Sequence, residues 1–275
     1  MTYKTILVHI DAGERWPVRL NIATRLAQRF EAQLVGLHAL SSTRLPAFTL
    51  PEAAASLAEA QRIAEAQALR AREEFERSTR QAGLRNAEWR ASLEDAAAVV
   101  PLHARYVDLI VIGQPDPEQP DGVEANFTHR VVLAAGRPVL VIPYAGQFDF
   151  IGKHVLLAWN ASREAARAAT DSLPLLRAAD KVTVVCVNPK APLHGQQPGA
   201  DIALYLARHG VRSEVSNLQG SDIDAGNQLL SYAADLSVDL IVMGAYGHSR
   251  LSELVLGGVT RTLLGSMTVP VLMTH

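Results

Sequence analysis

Short apolar runs alternate with helix-patterned stretches along the whole chain. Runs near residues 4–10, 33–39, 86–92, 107–112 and 138–142 read as strands in the first half. In the second half they lie near residues 153–159, 181–187, 212–217, 238–243 and 269–274. Such alternation predicts a parallel sheet with helices on both faces. The unbroken run at 109–112 fits a strand buried on both sides. One stretch departs from the rhythm. Residues 51–82 are rich in Ala, Glu, Arg and Gln with few breakers, which predicts a helix of many turns. Its apolar positions Leu57, Ala60, Ala64, Ala68 and Ala71 are small and helix-spaced, so it should pack lightly on the surface. A partner-binding helix is the other reading. The matching stretch of the second half, 189–199, carries Pro and Gly instead and should form a loop over the site.

The same strings occur twice. Val-Asp-Leu-Ile-Val-Ile-Gly at 107–113 returns as Val-Asp-Leu-Ile-Val-Met-Gly at 238–244. A proline-led strand follows each copy, at 137–143 and at 269–274, and the openings at 3–11 and 152–160 also correspond. Matching position and order point to duplication. Two tandem domains are expected, at 1–145 and 151–275, joined by a short connection.

Totals narrow the function classes. A chain of 275 residues suffices for two domains with real cores. With 26 Lys+Arg against 28 Asp+Glu, no basic surface argues for nucleic acid. The single cysteine, Cys186, lies in an apolar run, which reads as a small core residue and suits a reducing compartment. No apolar stretch reaches the roughly 18 residues needed to span a bilayer. The amino-terminal segment is a strand ending at Asp11 with no signal-peptide pattern, so a soluble, cytoplasmic protein without membrane contact is expected.

Candidate chemistry gathers in one loop. Directly after the apolar run 239–243 come Gly244 and Gly247, then Gly257 and Gly258. Glycines let a backbone approach a ligand, strand ends of an open α/β sheet face a crevice, and a helix amino terminus offers free N–H groups to an anion. Spacing alone leaves a turn-and-packing role equally open. It matches neither the lysine-bearing phosphate loop nor the dinucleotide fingerprint.

The loop does resemble that of the universal stress protein family, whose ATP-binding members carry Gly-x2-Gly-x9-Gly-Ser/Thr. The resemblance extends to the openings ending in Asp11 and Asn160, to the duplicated Val-Asp-Leu-Ile-Val strand, and to the stretch at 158–167. It implies two tandem Rossmann-like domains of the adenine nucleotide alpha hydrolase type, each a five-stranded parallel sheet, their final strands pairing as in a dimer. It also implies a stress-response role with ATP, or AMP or ADP, bound in the second domain and Mg2+ held through the phosphates. Carried over by position, Ala158 and Asn160 would meet base and ribose, with Val187 near the adenine. Met243 and Gly244 would flank the adenosine, Gly247 and His248 would meet phosphates, and Gly257, Gly258, Val259 and Thr260 would start an anion-binding helix.

Two positions depart from the pattern. Gly258 stands where a hydroxyl is expected, and losing a hydrogen bond to a charged group lowers affinity by about tenfold or more. Asn160 replaces the usual acid, so a ribose hydroxyl loses its charged acceptor. In the first half, the counterpart loop at 113–122 holds three prolines without N–H donors together with Asp116, Glu118 and Asp121, which repel phosphate. That half should hold no nucleoside triphosphate.

No helical His pair, nucleophile elbow or triad is present in the sequence. Ser162 reads as a helix N-cap, His248 as either a phosphate contact or an exposed turn residue, and Trp16, Trp89 and Trp159 as core-packing residues. The leading expectation is a non-enzymatic adenine-nucleotide binder, a pseudo-dimer within one chain with a homodimer as a further assembly. The alternatives are a weak ATPase or an adenylyl- or phosphoryl-transfer enzyme using His248, Arg250 and Arg261, and a chaperone-like scaffold that binds no nucleotide.

Overall fold

The computed structural model describes residues 2–39, 52–119, 122–189, 197–220, 223–247 and 258–275. Residues 3–135 form one compact unit and residues 136–275 the main part of another. In the first, β1 (Thr5–Ile10), α1 (Trp16–Phe30), β2 (Gln33–Ala39), α2 (Glu52–Gln81), β3 (Ala87–Ser92), α3 (Ala96–Ala104), β4 (Leu109–Gly113) and α4 (Phe127–Ala134) follow in order. The strands run β3-β2-β1-β4, all parallel. β1, β2 and β4 are buried along nearly their whole length. That is the physical meaning of their unbroken apolar runs.

The second unit contains β5 (Val139–Ile142), β6 (His154–Ala158), α5 (Arg163–Asp171), α6 (Leu173–Arg177), β7 (Lys181–Val187), α7 (Ala200–Arg208), β8 (Glu214–Leu218), α8 (Ala225–Asp235), β9 (Leu240–Gly244), α9 (Gly258–Ser266) and β10 (Val271–Thr274). Its strand order is β5-β10-β9-β6-β7-β8. The five strands β8-β7-β6-β9-β10 are parallel, and β5 pairs antiparallel with β10. The protein is thus an α/β, Rossmann-like duplication with mostly parallel strands. The last strand of the first sequence repeat belongs to the second compact unit.

The repeated Val-Asp-Leu-Ile-Val string has a structural reason for its acid. Asp108 accepts the backbone N–H groups of Lys4 and Thr5 at 2.7 and 3.0 Å. Asp239 accepts those of Gly152, Lys153 and His154 at 2.9–3.3 Å. Each carboxylate caps the entry of the neighbouring first strand, satisfying donors the ladder leaves free. Burial raises the Asp239 pKa, and those N–H bonds oppose the rise.

The 30-residue α2 matches the predicted stretch within a residue at each end. It packs lightly where its side chains are described: Ile63 and Leu69 are exposed, while Ala71 and Phe75 are buried. Its anchor is Phe75, whose ring lies over Gly36 of β2. A Cβ on Gly36 would come within 2.7 Å of that ring. The side chains of Leu57 and Ala60, and residues 190–196 of the loop expected over the site, lie outside the described residues.

Candidate functional site: two strand-end crevices

In each unit the sheet order reverses direction at the first strand. This sets a crevice between the carboxyl ends of β1 and β4, and another between those of β6 and β9. The second is the site implied by the sequence. Ala158 and Met243 face each other in register across β6 and β9. Val187 ends β7, half-buried. Asn160 is exposed, and its Oδ1 accepts the N–H of Ser162 at 3.1 Å. Ser162 caps α5 as expected, its Oγ accepting from the Ala165 N–H at 3.1 Å.

Three non-glycine residues at these strand ends are held left-handed: Ala161 (φ 58°) after β6, Asn188 (φ 46°) after β7 and Tyr246 (φ 61°) after β9. Such backbones cost on the order of 1 kcal/mol or more each and gather where a surface is shaped for use. Asn188 is fixed by a reciprocal pair with Gly220: its Nδ2 donates to the carbonyl at 2.7 Å, and its Oδ1 accepts the N–H at 3.0 Å. The Tyr246 N–H donates to Thr260 Oγ1 at 3.4 Å, which links the loop after β9 to the first turn of α9. Thr260 is buried, Val259 half-buried and Gly258 exposed, with no described atom within 4 Å of where a Gly258 Cβ would sit. His248 and Gly257 lie outside the described residues, as do Arg250 and the rest of the segment 248–257.

Both described loop glycines have packing reasons that spacing did not reveal. A Cβ on Gly244 would fall 2.4 Å from the Ala165 backbone nitrogen and 2.5 Å from the Glu164 carbonyl carbon. One on Gly247 would fall 2.9 Å from Glu164 Oε2 and 3.3 Å from Ser162 Oγ. The first turn of α5 therefore lies directly against residues 244–247. Glu164 is buried, and its Oε1 accepts from Arg163 Nε at 2.8 Å. Burial pushes its pKa up, but the bonds from Arg163 and Ser162 outweigh that and hold it below the usual range.

The first crevice is built differently. Asp11, at the end of β1, pairs with Arg19 of α1 at 2.7 Å, and both are almost fully buried. Asp11 Oδ1 also accepts the Gly13 N–H at 3.0 Å. The Arg19 guanidinium lies across Gly113, where a Cβ would be 2.6 Å from Nη1. Burial opposes ionisation of Asp11, yet Arg19 and His9 beside it keep its pKa low. His9 is fully buried, its Nε2 2.9 Å from the Ala39 carbonyl oxygen, and burial lowers its pKa to about 4. His38, 3.0 Å from the Ile10 carbonyl oxygen, is lowered for the same reason.

Other candidates take ordinary places. Cys186 is buried, which raises its thiol pKa to about 11 and leaves it a core residue. Trp16, Trp89 and Trp159 are half-buried. Among the described residues no group of three His, Cys, Asp or Glu is arranged to hold a metal, and no helix is long and apolar enough to cross a membrane. Glu164, Arg19 and Tyr246 are the site residues the sequence reading missed. Only for Glu164 was there a local signal, an acid in the first turn after a Ser cap.

Comparison with known proteins agrees with this architecture. The model of the universal stress protein family matches residues 2–143 and 152–275. A curated universal stress protein of Synechocystis is 33% identical over 151 residues, 52% of this chain and 48% of that protein, so the match spans about half of each. Among solved structures, a universal stress protein of Archaeoglobus fulgidus aligns with TM-score 0.73 at 15% identity, covering 98% of this chain and 95% of that one. A Pseudomonas aeruginosa protein of unknown function aligns at 0.61 and 16%, covering 99% and 92%. At such identities the structural matches speak for the fold.

Proposed function

The chain belongs to the universal stress protein family, and from that premise we propose that its second domain binds an adenine nucleotide and serves the stress response as a binder, not as a catalyst. Two tandem domains, 1–145 and 151–275, carry this division of labour, the first without nucleotide. One observation supports the reading above others: the β6/β9 crevice is shaped by strained strand ends, and Gly258, the first described residue of α9, is exposed.

The residues fit a nucleoside with its nearest phosphate. Ala158 and Val187, both half-buried, offer apolar contact to a base with the buried Met243 behind them, and the exposed Asn160 amide can accept a ribose hydroxyl. In this reading the N–H groups at the start of α9 hold an anion without any lysine. Bound nucleotide supplies charge and folded-state stabilisation; Mg2+ would be carried by its phosphates. Gly247, His248, Gly257 and Thr260 complete the proposed contact set around Gly244 and Gly258. The cytoplasm is the proposed location and a homodimer the proposed assembly.

Binding to the folded state raises stability by about 2.7 kcal/mol at a hundredfold excess over Kd. Calorimetric titration and thermal melting of the full chain with ATP, ADP and AMP, with and without Mg2+, should therefore show saturable heat and a raised melting temperature. Absence of both, with no nucleotide released on denaturing the purified protein, would leave the scaffold reading in its place. The buried Arg19–Asp11 pair that closes the first crevice is the observation favouring that alternative.

A further inference from the structure

We propose that Glu164 selects among adenine ligands by phosphate charge, so that the second crevice ranks adenosine and AMP above metal-free ATP and accepts ATP chiefly as its Mg2+ complex. The inference rests on the nucleotide reading above and deepens it.

Glu164 Oε2 lies 2.9 Å from the position a Gly247 Cβ would take, directly under the second glycine of the loop. An anion accepting the Gly247 N–H sits about 3 Å from that nitrogen. It then lies within about 8 Å of the carboxylate, roughly one Debye length at physiological salt. Glu164 is only 5% exposed yet lies close to the surface, so solvent screens the repulsion in part and not fully. The amino end of α5, which otherwise offers roughly half a positive charge, is already matched by this full negative charge. Its ion-pair partner Arg163 is 73% exposed on the side chain and compensates only in part.

A dipole-matching acid needs no burial; an exposed Glu in the first turn would serve that purpose. Here the carboxylate is instead tucked beneath the loop, and a side chain on Gly247 would collide with it. Each phosphate added to the ligand brings more negative charge towards this point. Chelation by Mg2+ removes part of that charge. Adenosine, carrying none, is indifferent to Glu164.

Calorimetric titration of the full chain with adenosine, AMP, ATP in EDTA and Mg2+–ATP tests this, using wild type, Glu164→Gln and Arg163→Ala. Wild type should bind AMP about tenfold or more tighter than metal-free ATP. Glu164→Gln should tighten metal-free ATP by about tenfold and leave adenosine within about twofold. Arg163→Ala should weaken metal-free ATP while sparing adenosine, and decides the matter if Glu164→Gln does not fold. Equal shifts for adenosine and ATP, or a wild-type preference for metal-free ATP over AMP, would overturn the charge-selection role while leaving nucleotide binding intact. No binding of any ligand to any variant would overturn both.

Discussion

The crevice between β1 and β4 and that between β6 and β9 occupy the same place in their sheets, yet their contents are opposite. In the first, the acid Asp11 is retained and met by Arg19 of the same chain, so an internal cation sits at the strand ends. In the second, the acid has become Asn160, which is exposed and bonded locally to Ser162, and a carboxylate appears instead one helical turn on, at Glu164. Duplication preserved strand order and the strand-entry aspartates while divergence worked on a few side chains at the carboxyl edge. The fold offers the crevice; two or three residues decide whether it is closed from within.

The sharpest way to break this contrast is Arg19→Ala. It leaves Asp11 buried without its cation, which costs about 3–5 kcal/mol, whereas Asn160→Ala in the other crevice should stay near 0.5 kcal/mol. Denaturant titration of both variants measures the difference, and equal costs would show that the first crevice is not held shut by the pair. Next in size is a loss of stability on acidification between about pH 6.5 and 4, which the buried histidines place in the first crevice. His9 is neutral in the folded protein because burial lowers its pKa to about 4, while the unfolded chain takes up a proton near the ordinary histidine value of 6.5. The unfolded state thus binds more protons between those limits, and stability falls as pH drops through them, by about 3 kcal/mol in total. His38 adds in the same direction, and Asp11, depressed by Arg19, contributes its loss only at still lower pH. His9→Gln should flatten this part of the stability profile. The smallest effect compares the equivalent strand-end glycines. Gly244→Ala drives a methyl into the backbone of α5, whereas Gly113→Ala meets the Arg19 side chain. Overpacking of this kind costs about 1–3 kcal/mol, and melting curves should place Gly244→Ala at the upper end.

Much of the scaffold was legible because buried strands write themselves as apolar runs. Thr5–Ile10, Gln33–Ala39 and Lys181–Val187 stand where the pattern put them, within a residue. The Ser162 cap was legible for the same reason: its chemistry is local. What could not be read depends on contacts between distant residues. Phe75 on α2 finds Gly36 on β2 across the unit, and a stretch of alanines gave no hint which residue would anchor it. Arg19 looks like any polar helix residue until the fold turns it inward on Asp11. Gly244 and Gly247 drew the eye as a ligand loop, whereas their immediate neighbours are the backbone of α5 and the Glu164 carboxylate. Spacing pointed to this edge of the sheet and was silent about what lies beneath it.

The antiparallel pairing of β5 with β10 bears on the order in which the molecule is made. Leu140 and Leu272 are neighbours in the sheet but on the order of 130 residues apart in the chain, a closure whose entropy grows only slowly with length yet must be met before the contact returns anything. On the ribosome β5 emerges early and waits for β10, which lies far downstream in the chain. Until β10 arrives, Val139, Leu140, Val141 and Ile142 form an apolar strand without its final neighbour, the kind of segment that chaperones bind and that pairs with other chains. Emergence of β10 is therefore the event that completes this pair, and crowding by nascent copies before it is the moment at which strand exchange is most favoured.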